Sequence, residues 1–147
     1  MITRVAEERV RILNDARVRS GDYVLYWMQS SHRTEENPAL RYAIERAEQA
    51  HLPLIVYFGL WQPYPEANLR HFRFMLEGLT EVGHSLESRG IRFVLRTESP
   101  DQGVCAIAKN AAVVIADRGY LRQQQSWYRS VAEQCRCPLV QVEGNVV

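Results

Sequence analysis

Two short runs of side chains have the residue types and spacing to bind a small molecule. Met28-Gln29-Ser30-Ser31-His32-Arg33 places an amide, two hydroxyls, an imidazole and a guanidinium directly after an aromatic stretch, and it leads toward Asn37-Pro38, a helix start. Hydrogen-bonding groups beside the positive end of a helix suit an anion or a polar heterocycle. The alternative is turn capping by Ser30 and Ser31 with a surface ion pair at Arg33. The second run is Asp117-Arg118-Gly119-Tyr120-Leu121-Arg122. There Asp117 could accept a hydrogen bond from a ligand, or could equally cap the helix that follows. Arg33 offers a fork of donors to an anionic group, Met28 and Tyr120 offer apolar and stacking surface, and Gln29, Ser30, Asp117 and Arg118 complete the candidate set.

Other chemistry lacks its motifs. No G-x-G-x-x-G follows the first apolar run and no G-x-x-x-x-G-K-[ST] occurs, which argues against the dinucleotide fingerprint and the P-loop. No G-x-S-x-G elbow is present, and His32, His51, His71 and His84 have neither a nucleophile nor a metal-ligand spacing beside them. Cys105, Cys135 and Cys137 form a lone C-x-C plus one, a poor metal signal that reads as free thiols. No catalytic residue and no metal ligand is assigned.

The elements that must position the two runs alternate regularly. Tyr23 to Met28, Pro53 to Leu60, Ile91 to Arg96, Ala112 to Ala116 and Pro138 to Val142 are short, apolar and rich in β-branched or aromatic residues, as strands buried on both faces are. Between them lie helical patterns. Asn37 can accept an orphan N–H and Pro38 lacks the donor that a first turn cannot use, so a helix starts there with Leu40, Ala43, Ile44 and Ala47 on one face. A second helix carries Leu69, Phe72, Leu76, Leu79, Val82 and Leu86 and ends at Gly90. A third covers Asp101 to Asn110, and a fourth runs from Arg122 to Cys135 with Trp127, Val131 and Cys135 inward. Val5 to Asn14, with Val10 and Leu13 on one side, could form one more.

Strands alternating with helices at this spacing make a parallel sheet covered on both sides. The expected fold is α/β and three-layered: a doubly wound, Rossmann-like sheet of five parallel strands ordered 3-2-1-4-5, numbered along the chain. In that order the chain reverses direction between strands one and four, and a crevice opens at their carboxyl ends, where the two polar runs sit.

Composition sets the bounds. The 147 residues suit one domain, and 46% hydrophobic with 24% charged is ordinary for a globular chain. A net charge of +1, from 18 basic and 17 acidic residues, gives no general attraction to nucleic acid or anionic lipid. No apolar run reaches the roughly 18 to 20 residues that cross a bilayer, and no signal-peptide core opens the chain, so a cytoplasmic protein without a membrane partner is expected.

A resemblance goes further. Tyr26-Trp27-Met28-Gln29-Ser30-Ser31-His32-Arg33, followed by Asn37, Ala39-Leu40 and Ala43-Ile44, is similar to the opening of class II cyclobutane pyrimidine dimer photolyases. So are Ala67-Asn68-Leu69-Arg70-His71, Phe74-Met75-Leu76-Glu77-Gly78-Leu79, Arg89-Gly90-Ile91-Arg92-Phe93 and Val113-Val114-Ile115-Ala116-Asp117-Arg118-Gly119-Tyr120. The likeness runs from about residue 20 to the end. It implies an N-terminal α/β domain over 21–147, preceded by a polar, helical extension over 1–20. In that family the domain hosts an antenna chromophore in some members, of the 8-hydroxy-5-deazaflavin type, and the crevice mixture suits such a planar ring with a polar tail. The FAD, the lesion pocket and the tryptophan chain belong to a helical C-terminal domain, so UV-damaged DNA would be met through that domain only. This chain stops where the linker to it would begin, and it is expected to lack the catalytic half and to repair nothing alone. The helical domain would then be its partner, and Trp61, Tyr64, Phe74 and Tyr120 are candidates for the inter-domain face, with self-association as an outlet. Two other readings stand beside this one: a free-standing nucleotide- or flavin-binding module, and a structural docking domain for a helical partner.

Overall fold

Alternate residues of Tyr23–Met28 leave a strand on opposite sides, and here both sides are apolar: Val24, Tyr26 and Met28 enter one core, Leu25 and Trp27 another. A strand with no face to give to water belongs in the middle of a sheet covered on both sides. The computed structural model, which describes residues 9–17, 20–29, 34–60 and 69–144, places it there. Along the chain the strands are β1 (Val10–Ile12), β2 (Tyr23–Met28), β3 (Leu54–Gly59), β4 (Arg92–Arg96), β5 (Ala111–Asp117) and β6 (Leu139–Val142), and they lie side by side in the order β1-β6-β5-β2-β3-β4. The pairs β2–β3, β2–β5, β3–β4 and β5–β6 are parallel.

Helices α1 (Pro38–Ala50) and α2 (Leu69–Ser88) cover one side through Leu40, Ala43 and Ala47 and through Leu79, Val82 and Leu86. Helices α3 (Pro100–Ile107) and α4 (Arg122–Gln134) cover the other through Val104, Tyr128 and Val131. Each fully buried leucine on these stripes is worth about 2 kcal/mol of transfer free energy. Two local signals act as the sequence implies. Asn37 caps α1, its Oδ1 accepting the Leu40 N–H at 3.1 Å with Pro38 as the first helical residue. Gly90 takes φ +76 after α2, and the Ile91 N–H closes on the Leu86 carbonyl at 2.9 Å. Gly103 meets a different need: a Cβ there would collide with the Tyr57 hydroxyl, so its absence lets α3 settle on β3.

The sheet corrects the sequence reading at one edge. The five strands read from the sequence keep their relative order, but the sheet has six strands and is mixed, because Val10–Ile12 is a strand and not part of a helix. It pairs antiparallel with β6, Val10 opposite Val142 and Ile12 opposite Val140. All four residues of β6 are buried, and without β1 one side of its ladder would be unpaired. Leu13 N–H bonds the Leu139 carbonyl at 2.8 Å and Glu143 N–H bonds the Arg9 carbonyl at 2.8 Å. The Asn14 amide fastens the end of the ladder, donating to the Cys137 carbonyl at 3.0 Å and accepting from Leu139 N–H at 3.0 Å. These tertiary bonds outweigh a short amphipathic helix whose nucleation is itself unfavourable.

Two smaller boundaries also shift. The third helix starts at Pro100 and tightens into a 3-10 turn over Ala108–Asn110. On α4 the fully inward residues are Tyr128 and Val131, with Trp127 and Cys135 half-buried.

Candidate functional site at the carboxyl ends of β2 and β5

β2 and β5 are neighbours, and the chain leaves them in opposite directions. After β2 it passes to α1 on one face; after β5 it passes to α4 on the other. Their carboxyl ends therefore flank the point where the winding reverses, the usual place for a ligand in an open α/β sheet.

A relay of buried polar groups joins these ends. Asp117, the last residue of β5, is 1% exposed; its Oδ1 accepts the Gln29 backbone N–H at 2.8 Å and its Oδ2 accepts the Tyr26 hydroxyl at 3.3 Å. Tyr26 Oη in turn accepts from Asn37 Nδ2 at 3.1 Å, and Asn37 is the residue that caps α1. The relay links β5, the loop after β2, β2 itself and the helix N-terminus without an unanswered atom between them. Burial first, and then the neighbouring Asp117 charge, holds the Tyr26 phenol well above its ordinary pKa, so it stays protonated and keeps donating. The Asp117 carbonyl accepts the Tyr128 hydroxyl at 2.6 Å, which ties the same residue to α4.

A second cluster sits on the loop after β5. Arg118 is 3.2 Å from Glu143 and lies over the Tyr120 ring at 5.0 Å, and the Tyr120 hydroxyl donates to the same Glu143 carboxylate. That hydrogen bond to the carboxylate is the main cause raising the Tyr120 phenol pKa. Arg118 N–H continues the sheet pattern onto the Val142 carbonyl at 3.0 Å. At the start of α4 the Gln124 side chain, not Asp117, accepts the Leu121 N–H.

The sequence-derived set is thus divided. Gln29 and Asp117 are brought together directly, and Arg118 and Tyr120 follow on the adjoining loop. Met28 shares the parity of Val24 and Tyr26 and is fully buried among the residues under α1 and α2, so its side chain belongs to the core. Ser30 and Arg33 lie outside the described residues. Of the inter-domain candidates, Phe74 is 75% and Tyr120 54% exposed, while Trp61 and Tyr64 lie outside the described residues. Residue-type reasoning missed Tyr26 and Glu143. A tyrosine inside an apolar strand reads as core, and Glu143 follows its strand with no motif; only the tertiary fold shows that both reach the reversal point.

The thiols are elsewhere. Cys135 and Cys137 place their Sγ atoms 3.3 Å apart, and burial pushes the Cys105 thiol up to about 11. Among the described residues no group of three or more His, Cys, Asp and Glu is arranged to hold a metal ion, and no helix is long and apolar enough to cross a membrane.

The class defined by this geometry is a doubly wound α/β domain whose winding reverses between two parallel strands. A family model described as DNA photolyase matches residues 24–147, and the chain belongs to that family. It is 46% identical over 144 residues to the deoxyribodipyrimidine photo-lyase of Methanothermobacter thermautotrophicus, an alignment that takes in 95% of this chain and 32% of that protein. The chain thus spans about a third of that relative's length. Among solved structures, a class III photolyase from Agrobacterium tumefaciens aligns with a TM-score of 0.67 and 17% identity, over 87% of this chain and 27% of that one. A universal stress protein from Archaeoglobus fulgidus, in complex with dAMP, aligns with a TM-score of 0.53 and 16% identity, over 82% of this chain and 98% of that one. At such identities the likeness is one of fold.

Proposed function

We propose that this chain is the N-terminal light-harvesting module of a class II photolyase, acting in light-dependent repair of DNA. On this reading residues 21–147 are the domain and 1–20 its extension, which contributes an edge strand. An antenna chromophore of the 8-hydroxy-5-deazaflavin type binds at the crevice between the loops after β2 and β5, held by the loop from Gln29 through Ser30 and Arg33 and by Arg118 and Tyr120. Catalysis, the FAD and contact with UV-damaged DNA belong to a helical partner domain, and exposed Phe74 and Tyr120 suit the face turned to it. A cytoplasmic location goes with this role.

The observation that carries the reading is the 2.8 Å bond from Gln29 N–H to Asp117, which joins the ends of β2 and β5 where the sheet reverses, in a chain whose family is photolyase. The residues present fit a planar pigment in a specific division of labour. Asp117 is occupied by Gln29 and Tyr26 and shapes the loop, while the exposed Tyr120 ring and the half-buried Gln29 side chain offer stacking and hydrogen bonding. A bound pigment would supply light absorption and energy transfer; the chain's own groups supply orientation and a drier setting. The fold likeness to a nucleotide-bound stress protein favours the second reading, a nucleotide-binding module, although no glycine-rich phosphate loop is present.

Titration with 8-hydroxy-5-deazaflavin and with FAD, followed by fluorescence, tests both readings. Arg33→Ala and Tyr120→Ala are each expected to weaken deazaflavin binding about tenfold, or ~1.4 kcal/mol. If neither pigment binds, the antenna role is removed. Binding that stays within about twofold in both variants, ~0.4 kcal/mol, moves the site elsewhere.

A further inference from the structure

Along the β1–β6 edge one residue breaks the chemistry of its surroundings. Gln141 shares a sheet face with Leu139, the face that α4 covers, and it is only 5% exposed. Its Cα partners are Arg11 on β1 and Ala116 on β5. Its side-chain amide has no hydrogen-bond partner among the described residues and opens instead on a cavity between α4 and the sheet edge. The rest of the residue is packed while the amide faces the hollow, so a ligand that fills the hollow has to meet its donors and its acceptor.

The cavity walls suggest what that is. Arg11, Arg118 and Arg129 line it together with Gln141, and no acidic residue does among the described residues. Arg118 is paired with Glu143, but Arg11 and Arg129 have no ion-pair partner among the described residues. Among the described residues, three guanidinium groups thus share one carboxylate around this hollow. Leu13, Tyr128 and Ala132 supply the apolar part of the wall, and Arg11 and Arg129 stand at its exposed rim. The volume is about 210 Å³, below the roughly 300 Å³ at which pockets begin to take drug-sized molecules, so a pigment does not fit but a compact anion does. Guanidinium forks match the oxygens of a phosphate two at a time, and an amide NH2 adds two more donors.

We propose that this cavity binds a phosphate group, with Arg11, Arg129 and Arg118 as its charged clamp and the Gln141 amide as the buried donor beneath it. The site lies on the α4 side of the β1–β6 edge and does not depend on the antenna reading. Arg118 borders both places, so it is left unchanged in the test, and the failure of one proposal is distinguishable from the failure of the other.

The test is calorimetric titration of the full 147-residue chain with inorganic phosphate at an ionic strength held constant by chloride. Saturable binding is expected, with the Arg11→Gln/Arg129→Gln double variant weakened about tenfold or more, since two charge-assisted contacts are lost. Gln141→Leu is expected to weaken binding while leaving the unfolding midpoint without phosphate no lower than wild type. A parallel titration with uridine monophosphate identifies the source: equal affinity points to the free ion, tighter binding to a phosphate carried on a larger molecule. Absence of saturable phosphate binding overturns the proposal, as does a double variant within about twofold of wild type, ~0.4 kcal/mol.

Discussion

Asp117 and Gln141 stand one register step apart on adjacent parallel strands, Asp117 opposite Val142 and Gln141 opposite Ala116. Both are polar and both are almost wholly buried. Their surroundings differ completely. Each carboxylate oxygen of Asp117 has a donor, one from the backbone of the neighbouring loop and one from a tyrosine that a cap residue orients in turn. Gln141 has a row of arginines and open space. Equal burial therefore carries opposite meanings. A polar group whose bonds are all made within the fold is part of the architecture, whereas one whose bonds are unmade marks a place where something external can complete them.

Three substitutions break or sharpen that contrast. Asp117→Ala should have the largest effect, a loss of about 3 kcal/mol or more in urea unfolding, because it leaves the Gln29 N–H and the Tyr26 hydroxyl without their acceptor and opens a void at the reversal point. A loss below about 1 kcal/mol would mean that water replaces the carboxylate and that the relay is not structural. Tyr26→Phe removes the middle of the relay but keeps its ring; it should cost about 1–2 kcal/mol by the same measurement. The wild-type chain should meanwhile show no tyrosinate absorbance from Tyr26 until it unfolds at high pH, since its raised pKa favours the protonated, folded form and that advantage is lost only as the solution becomes strongly alkaline. The smallest effect belongs to Gln141→Leu, which should leave stability unchanged or raise it by up to about 1 kcal/mol. A clear destabilisation would show that the amide is satisfied within the fold and would erase the difference between the two residues.

Much of the architecture was legible in the sequence because its signals are local. Unbroken apolar runs identified strands buried on both faces, and Asn37-Pro38 and Gly90 marked helix ends by requirements of their own backbone groups. β1 was not legible for the opposite reason. Three residues carry too little pattern to declare a strand, and what makes them one is β6, with the Asn14 to Leu139 bond alone spanning 125 residues of sequence. At the site, Asp117 was legible as an acceptor at a strand end, but not which donors would claim it. Met28 is the reverse case: read as crevice surface from its place beside a polar loop, it is core because side chains alternate along a strand and Tyr26 already faces inward. Gln141 stood within the fifth expected strand, yet only its place opposite Arg11 and beneath α4 gives it interest.

The two outer strands of the sheet bear on how this domain behaves in a crowded solution. A free strand edge is a template on which a second chain can add, and long flat apolar edges seed aggregates. Here one edge is β1, only three residues long with Arg11 at its centre, and the other is β4, which begins and ends on exposed arginines, Arg92 and Arg96. A strand docking on either would meet charged side chains before it could form more than a few ladder bonds. Association with another protein is thereby steered toward the helical and loop surfaces, where side chains and not exposed backbone decide the partner.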